Sequence, residues 1–360
     1  MPMAAPLSAK NHTFCDYPAG KPNTNYRGKP TIENAITMKT KKLFMLITAV
    51  LALAACGDDG EDIVIDKNTK KEEATVNINR NTDGPNEAKY RLEFPHLKGG
   101  NNVVIVHRAV MNNSLGDVGV NYCVEWDPSM TAQRWSCYQL YSSINYNTKY
   151  NVKRYYADND GSLSASCQYP NDPDLSPTYQ MTADPYKYNN FDHGHICPSA
   201  DRLRSSESNY QTFFITNMQP QYTNFNGGDL SPWYRLESQI RTWAGANMSD
   251  TLFVVKGGTI DGSSQIIRYL TDKINGQNKI PVPKYFFVAL LSKKGSRLAS
   301  IGFWMEHLNS YTDRKPLSTY AKSIDELERL TGIDFFCNLP DDDEDTVERS
   351  YSANLWSGLQ

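Results

Sequence analysis

Residues 190–202 contain two histidines separated by a single glycine, and these side chains could act in catalysis or bind a metal. His193, His195 and Cys197 alternate along the chain, so on an extended strand their side chains would share one face. A neutral imidazole can withdraw a proton from water near neutral pH, which makes His195 a candidate general base. Two imidazoles and a thiolate are also a ligand set for zinc or copper. The same residues could instead form a turn in which the histidines are only hydrogen-bonded.

Polar side chains that suit phosphate or metal chemistry follow downstream. Asn217 lies in a Thr-Asn-Met-Gln-Pro-Gln segment, and Asn226 precedes two glycines. The segment Ser231-Pro232-Trp233 predicts a helix start, with serine at the N-cap and proline at the first helical position. Glu237 and Arg241 are then spaced i,i+4, which places them on one face of that helix. Taken singly, each of these residues could be an ordinary turn residue or a surface ion pair.

Together these segments resemble the DNA/RNA non-specific endonuclease family, the ββα-metal nucleases whose signature is Asp-Arg-Gly-His. The resemblance covers most of residues 90–340, in separated blocks that follow the family's order. The matching positions are Asp192-His193-Gly194-His195, Pro198 to Arg202, Asn217 with Pro220-Gln221, Asn226, and Trp233 with Leu236-Glu237 and Arg241. The resemblance implies an α+β fold of the ββα-metal type, with a mixed but largely antiparallel sheet, flanking helices and long loops.

The resemblance also implies a mechanism for hydrolysing the phosphodiester bonds of DNA and RNA. His195 would be the general base, Asn226 the direct protein ligand of a hydrated Mg²⁺ (or Mn²⁺ as a substitute), and Glu237 a partner of metal-bound waters. Asn217 would orient groups around the base, and Arg241 would hold a phosphate oxygen. The expected products carry 5′-phosphate and 3′-hydroxyl ends. Contacts confined to phosphate and metal carry no base information, so no sequence preference is expected.

Two departures from the family pattern bear on that mechanism. His193 stands where the family usually has an arginine that contacts phosphate. We expect weaker transition-state stabilisation or a more acidic optimum, and not necessarily loss of activity, because imidazole is charged only part of the time. Asn226 and Glu237 are eleven residues apart, whereas the family spacing is eight. Asp229 stands at the family spacing and is the alternative metal ligand, although the Phe-Asn-Gly context favours Asn226.

The family also implies an upstream arginine that contacts phosphate. Arg154 is the preferred candidate, with Arg134 and Arg108 as rivals, and none of the three lies in a recognisable motif. Residues 57–360 carry 30 Lys and Arg against 38 Asp and Glu, a net formal charge of −8. This balance excludes a uniformly basic nucleic-acid-binding surface, so any phosphate-binding surface must be local.

Hydrophobic residues make up 39% of the chain and aromatic residues 11%, enough for a packed core. Apolar patterns predict strands over residues 102–107, 118–126, 134–141, 252–256, 284–291 and 298–305. A long loop is expected over residues 155–190, and a second short helix after a capping box that begins at Ser323. Strands, then a helix, then further strands indicate one α+β domain over residues 88–345, followed by a C-terminal tail over residues 346–360.

The N-terminal region predicts export. A basic segment from Met38 and a short apolar run end in Leu-Ala-Ala-Cys, which resembles a bacterial lipobox with Cys56 as the lipidated residue. Residues 1–37 are expected to be a non-native upstream segment, residues 38–56 a lipoprotein signal peptide, and residues 57–87 a flexible acidic and polar linker. The mature protein would be exported and anchored by lipid to a bacterial outer membrane, at the cell surface or facing the periplasm.

Two other functions remain open from the sequence. The first is a surface nucleic-acid-binding lipoprotein with an attenuated active site, because His193 and the long Asn226–Glu237 spacing depart from the family pattern. The second is a zinc or copper site formed by His193, His195 and Cys197, with a redox or structural role.

Overall fold

The computed structural model describes residues 76–82, 88–112, 117–141, 152–160, 167–245 and 248–360. All of these ranges belong to one compact unit. The predicted upstream segment, the signal peptide and Cys56 lie outside the described residues. Within the described ranges, no helix is both long and apolar enough to cross a bilayer.

A seven-stranded sheet forms the centre of the domain. Its strands, in spatial order, are β1 (Val103–Asn112), β2 (Asp117–Asp127), β3 (Ala132–Leu140), β6 (Thr251–Gly258), β9 (Tyr285–Lys294), β10 (Arg297–Glu306) and β11 (Ala321–Lys322). All neighbouring strands are antiparallel. The six strands predicted from apolar patterns all lie in this sheet, and the predicted α+β class with a largely antiparallel sheet is confirmed.

Two smaller antiparallel pairs lie outside the central sheet. One pairs β4 (Asp192–His195) with β5 (Met218–Gln221), and the other pairs β7 (Ile266–Thr271) with β8 (Lys279–Pro283). In the described ranges the helices are α1 (Ser206–Gln211), α2 (Thr223–Asn226), α3 (Pro232–Gly245), α4 (Ile324–Thr331) and α5 (Asp341–Glu348). The described part of the predicted long loop before β4 includes short 3₁₀ turns at residues 157–160 and 177–179, and none of its described residues lies in a strand or an α-helix.

The local sequence sets where the longer helices begin. Before α3, the hydroxyl of Ser231 accepts a hydrogen bond from the N–H of Tyr234 at 3.2 Å, and Pro232 occupies the first helical position. Before α4, the hydroxyl of Ser323 accepts a hydrogen bond from the N–H of Glu326 at 3.1 Å. Both predicted helix starts are confirmed.

Helices cover both faces of the central sheet. Successive residues of a strand point to opposite faces, so on β6 Val254 packs into one apolar cluster and Val255 into the other. The first cluster contains the buried side of α3, formed by Trp233, Leu236, Ile240 and Trp243. The second cluster contains the buried apolar residues of α4, Ile324 and Leu327. The β4–β5 pair also contributes to the first cluster, through Met218, so the predicted motif lies on the α3 side of the sheet.

The folded domain extends past its predicted C-terminal limit at residue 345. Residues 346–360 are not a tail, because Trp356 is fully buried, with its ring centroid 5.0 Å from that of Trp243 in an edge-to-face arrangement. Leu359 is buried in the same apolar cluster. Burial of these apolar side chains holds the C-terminal segment against α3.

The domain also begins before its predicted N-terminal limit at residue 88. Residues 76–82 were predicted to belong to the flexible linker, yet Nδ2 of Asn77 donates a hydrogen bond to the carbonyl oxygen of Cys337 at 3.0 Å. Asn81 is buried and donates to the carbonyl oxygen of Pro95 at 3.0 Å. The polar composition concealed this packing, because side-chain amides that bind backbone carbonyl groups leave no hydropathy signal.

Candidate active site

The hairpin of β4 and β5 carries the predicted catalytic motif. Its strands pair in register, with Asp192 opposite Gln221 and His195 opposite Met218. The side chain of Gln221 packs over Gly194, so a Cβ atom at this position would lie 2.2 Å from Cδ of Gln221. Gln221 is fully buried, so the absence of a side chain at Gly194 leaves the space that Gln221 occupies.

The imidazole of His195 is half-buried at the end of β4, against aromatic side chains. Its ring centroid lies 4.9 Å from that of Phe213, edge to face. Burial lowers the pKa of His195 well below 6.5, and the positive charges of Arg154, His193 and Lys256 lower it further, while a hydrogen bond with the backbone of His193 acts in the opposite direction. Nε2 is buried and has no hydrogen-bond partner in the described part of the chain. A neutral imidazole with an unengaged nitrogen is the state that a general base requires.

The imidazole of His193 is packed between two tyrosine rings and contacts an aspartate. It stacks on the ring of Tyr169 with centroids 3.7 Å apart and on the ring of Tyr186 with centroids 4.2 Å apart. Nε2 lies 3.0 Å from Oδ2 of Asp184. Although burial acts to raise the pKa of Asp184, the hydrogen bond and the charge of His193 lower it below its ordinary value. The phosphate contact predicted for His193 is therefore left to Nδ1, because protein groups occupy the ring faces and Nε2.

The predicted metal ligand Asn226 ends α2 and is held by the first residue of the motif. Its Nδ2 donates a hydrogen bond to Oδ2 of Asp192 at 3.0 Å, and the hydroxyl of Thr223 donates to Oδ1 of the same carboxylate at 2.9 Å. The bond from Nδ2 fixes the amide, so that Oδ1 of Asn226 is the atom left for a ligand. Asp229 lies exposed in the turn that joins α2 to α3. Of the two candidate ligands, Asn226 is the one hydrogen-bonded to the motif.

Glu237 on α3 is paired with a buried lysine that was not predicted as a site residue. Nζ of Lys256 lies 2.6 Å from Oε1 of Glu237 and 4.2 Å from the ring centroid of Trp233. Lys256 is fully buried on β6, and its charge contributes to the low pKa of His195. A single lysine inside the apolar Phe-Val-Val-Lys-Gly strand was the sequence signal that could have identified it, because an unpaired ammonium is seldom buried.

Arg241 is anchored on α3, one turn after Glu237. Its Nη1 donates a hydrogen bond to Oδ1 of Asp201 at 3.0 Å, and Nη2 donates to the hydroxyl of Ser238 at 3.3 Å. Asp201 is buried and accepts a further hydrogen bond from the hydroxyl of Tyr138 at 2.9 Å. Although burial acts to lower the pKa of Arg241, the nearby carboxylates raise it. Arg241 is thus a fixed cation beside Glu237, with 26% of its side chain exposed.

Asn217 is fully buried just before β5 and acts on the backbone of the motif. Its Oδ1 accepts a hydrogen bond from the N–H of Cys197 at 2.9 Å, and its Nδ2 donates to the carbonyl oxygens of Cys197 at 2.9 Å and Thr212 at 2.8 Å. These bonds fix the chain two residues after His195. Asn217 therefore positions the segment that leaves the motif, and its described bonds go to protein groups.

Arg154 is the candidate arginine that lies beside the motif. Its guanidinium carbon is 4.8 Å from the ring centroid of Phe213, the same ring that packs on the imidazole of His195. Arg134, in contrast, is buried in an ion pair with Glu125, with Nη1 and Oε2 3.0 Å apart. Arg108 lies exposed on β1.

Residues 110–342 match the family model of the DNA/RNA non-specific endonucleases. The chain belongs to this family. The matched range contains β4, β5, α2 and α3, so family membership applies to the part of the chain that forms the candidate site. The family resemblance inferred from the sequence is confirmed.

Similar proteins include nucleases of bacteria and mitochondria. A nuclease of Nostoc sp. is 30% identical over 174 residues, which are 47% of this chain and 59% of the relative. The human mitochondrial nuclease EXOG is 24% identical over 181 residues, or 48% of this chain and 47% of the relative. Bovine mitochondrial endonuclease G is 27% identical over 186 residues, or 50% of this chain and 59% of the relative. In each case the match covers less than two thirds of the relative's own length.

The zinc or copper site considered for His193, His195 and Cys197 is not formed. β4 ends at His195, so the alternation that would align the three side chains stops there, and burial raises the pKa of the Cys197 thiol to about 12. Within the described ranges, the groups of three His, Cys, Asp or Glu side chains close enough to share an ion are His107–Asp172–Asp174 and Asp325–Glu328–Glu348.

His107 forms an ion triad that was not predicted from the sequence. Its Nε2 lies 3.0 Å from Oδ2 of Asp172 and its Nδ1 lies 3.4 Å from Oδ2 of Asp174. Burial acts to lower the pKa of His107, but the two carboxylates raise it to about 9. The hydroxyl of Thr216 also donates a hydrogen bond to Asp172. Because both ring nitrogens face carboxylates, His107 is a buried cation that ties β1 to the long loop and to the segment before β5.

Proposed function

We propose that this protein is a metal-dependent endonuclease that hydrolyses DNA and RNA to 5′-phosphate and 3′-hydroxyl ends. The observation that carries the proposal is the state of His195, a neutral imidazole whose buried Nε2 is engaged by no described residue. Membership of residues 110–342 in the non-specific endonuclease family supports the reaction class.

The proposed role of His195 is to accept a proton through Nε2 from the water molecule that attacks phosphorus. The ring is held against Phe213, and Asn217 fixes the chain immediately after it, so the nitrogen keeps its direction. Burial and nearby cations keep the imidazole deprotonated at neutral pH and ready to accept the proton. A positioned general base of this kind contributes about 10²- to 10⁴-fold to the rate.

The residues near Asn226 suit a hydrated Mg²⁺ ion, with Mn²⁺ as a substitute. The candidate donors are oxygens, Oδ1 of Asn226 directly and the carboxylate of Glu237 through water, and Mg²⁺ prefers oxygen ligands and keeps most of its water. Asp192 holds Asn226 and Lys256 holds Glu237, as partners of metal-binding residues commonly do. When bound, the ion would supply charge stabilisation for the phosphate and the leaving 3′ oxygen.

Arg241 and Arg154 are the proposed phosphate-binding cations. Arg241 is fixed by Asp201, whereas Arg154 lies exposed over Phe213. Contacts of this type read the phosphate and not the base, which fits a substrate range that includes DNA and RNA. Because Nε2 of His193 is committed to Asp184, we propose that Arg154 provides much of the phosphate contact that the family arginine makes.

Comparison of Asn226→Ala with Asp229→Ala tests the metal assignment. We expect Asn226→Ala to lose Mg²⁺-dependent plasmid cleavage and Asp229→Ala to retain it, because of these two residues Asn226 is the one hydrogen-bonded to Asp192. Cleavage is measured as a function of Mg²⁺ concentration, and thermal unfolding checks that both variants fold. Loss of cleavage in Asp229→Ala alone would assign the metal to the residue at the family spacing.

The alternative function is that of a surface nucleic-acid-binding protein with an attenuated active site. The clamped imidazole of His193 favours it, because a histidine bound to Asp184 replaces a free guanidinium. Binding of nucleic acid without cleavage, over several divalent cations and pH values, would support this alternative. His193→Arg would then show whether the substitution is the cause, since recovery of cleavage would trace the loss to this position.

We also propose that the protein is exported and anchored by lipid at Cys56. The basic segment from Met38, the apolar run and the Leu-Ala-Ala-Cys ending support this proposal. Expression in a Gram-negative host should place the protein in the membrane fraction, and Cys56→Ser should release it from that fraction. Equal fractionation of the two proteins would contradict lipid anchoring.

A further inference from the structure

A group of carboxylates lies between α4 and α5, away from the catalytic motif. Asp325 and Glu328 are three residues apart on α4 and therefore share a face, and Glu348 is the last residue of α5. Each of the three places a carboxylate oxygen within 4.8 Å of the others. Asp334 and Glu344 add their negative charges to the same group.

Glu348 contributes a buried carboxylate oxygen that lacks a partner. Its exposed fraction is 5%, and Oε1 is buried with no hydrogen-bond partner among the described residues. Its neighbours in the cluster are other carboxylates, including Glu328 and Glu344. A buried carboxylate without a counter-charge is strongly unfavourable, so the position of Oε1 points to a cation between the side chains.

The ionisation of the cluster supports the same conclusion. Burial raises the pKa of Glu328, Glu344 and Glu348 above the usual range, and the neighbouring carboxylates raise each of them further. His96 acts on the edge of the cluster, where its charge lowers the pKa of Asp334 against the effect of burial. The cluster must therefore take up protons or a cation for the domain to fold around it.

We propose that Asp325, Glu328 and Glu348 bind a Ca²⁺ ion at a site separate from the catalytic metal. Two oxygens that each bind one Ca²⁺ at about 2.4 Å lie no more than about 4.8 Å apart, and the three carboxylates already meet this limit. Oε1 of Glu328 accepts a hydrogen bond from the N–H of Phe335 at 2.7 Å. This bond fixes the carboxylate and leaves Oε2 for the ion. Ca²⁺ suits a group of carboxylates better than Mg²⁺, which gives up its water reluctantly.

The proposed ion would join the two ends of the domain. Nδ2 of Asn79 donates hydrogen bonds to Oδ2 of Asp334 at 3.2 Å and to Oε1 of Glu344 at 3.0 Å, and the N–H of Ile78 donates to Oδ1 of Asp341 at 2.9 Å. Residues 76–82 therefore contact Asp334 and Glu344, whose charges act on the proposed ligand Glu348, as well as Asp341 on α5. Binding of Ca²⁺ would fix α4, α5 and the point where the chain enters the domain as one rigid unit.

Isothermal titration of the full-length, EDTA-treated protein with CaCl₂, together with thermal unfolding, tests the proposal. The variants are Glu348→Gln and Asp325→Asn, and the second keeps the test usable if the first fails to fold, because Asp325 is exposed. Glu326→Gln is the matched control, since Glu326 lies on the same helix but pairs with Lys322 at 3.1 Å. Asn226→Ala removes the proposed catalytic metal ligand and separates the two sites.

We expect a Ca²⁺-binding event that persists in Asn226→Ala and Glu326→Gln and disappears in Glu348→Gln and Asp325→Asn. Ca²⁺ should raise the Tm of the wild type by about 5 °C or more at roughly a hundredfold excess over its Kd. An equal Tm rise and binding event in Asp325→Asn and Glu348→Gln, or no binding to the wild type at millimolar Ca²⁺, would overturn the proposal. Both measurements are independent of the cleavage assay, so failure of the Ca²⁺ proposal can be distinguished from failure of the proposed nuclease activity.

Discussion

Replacement of Gly194 by alanine should damage the hairpin that carries both histidines. The new Cβ atom would lie 2.2 Å from Cδ, 2.3 Å from Cγ and 2.5 Å from Oε1 of Gln221. Carbon atoms in contact are about 3.5–4.0 Å apart, so β4 or Gln221 must shift by more than about 1 Å. Gln221 is fully buried and has no solvent to move into. Overpacking of this kind costs about 1–3 kcal/mol, and we expect the upper end because three atoms overlap.

Thermal unfolding and kcat/KM on plasmid DNA measure the two consequences of Gly194→Ala. The Tm should fall by about 6 °C or more, and kcat/KM by about 10²-fold, the usual effect of displacing a catalytic group by about 1 Å. Gly227→Ala is the matched control, because the nearest atom to its Cβ would be the carbonyl oxygen of Thr223 at 3.8 Å. Gln221→Ala in the Gly194→Ala background should recover part of both losses. A Gly194→Ala variant with wild-type Tm and kcat/KM would refute the reasoning.

Lys256→Met should lower the free energy of unfolding by about 3 kcal/mol, because it leaves Glu237 without its charged partner. In a urea double-mutant cycle, Lys256→Met with Glu237→Gln should cost less than the two single changes together, and strict additivity would show that the pair does not interact. Because the pKa of His107 is raised, its charge contributes fully to stability below about pH 6.5, and this contribution is lost as the pH rises through about 9. The difference in unfolding free energy between wild type and His107→Gln should therefore shrink over that pH range. A constant difference would argue against the ion triad. The acidic limb of the pH profile of kcat/KM should lie below pH 6.5. It should move to higher pH in Arg154→Ala, because removal of a positive charge raises the pKa of His195. An acidic limb at the same pH in both proteins would place Arg154 away from the base.

Strands of the central sheet could be predicted because their apolar residues repeat with the period of a pleated surface. β4 could not be predicted as a strand pair with β5, since both are short and carry polar side chains. The limits predicted for the domain, residues 88 and 345, were also wrong. Trp356 packs on Trp243 across more than a hundred residues of chain, and such a contact has no local signal.

Residues of the candidate site were predicted where a motif or helix spacing identifies them, and their partners were not. Asp184 clamps His193 and Lys256 holds Glu237, but each partner comes from a different element of the fold. His107 was not predicted for the same reason, because the carboxylates that keep it charged lie in the long loop. Sequence spacing identifies residues that share one element, whereas pairing between elements depends on the packing of the whole domain.

The central claim is that His195 is the general base of a metal-dependent nuclease. It is tested most directly by a cleavage assay on circular plasmid and on RNA, with Mg²⁺ or with EDTA, in which the purified wild type is compared with His195→Ala. We predict that the wild type degrades both substrates with Mg²⁺ and neither with EDTA. His195→Ala should lose about 10²- to 10⁴-fold in rate because it removes the buried, unengaged Nε2 that is proposed as the base. Intact plasmid and RNA with the wild type across several divalent cations, or undiminished cleavage by His195→Ala, would contradict the account.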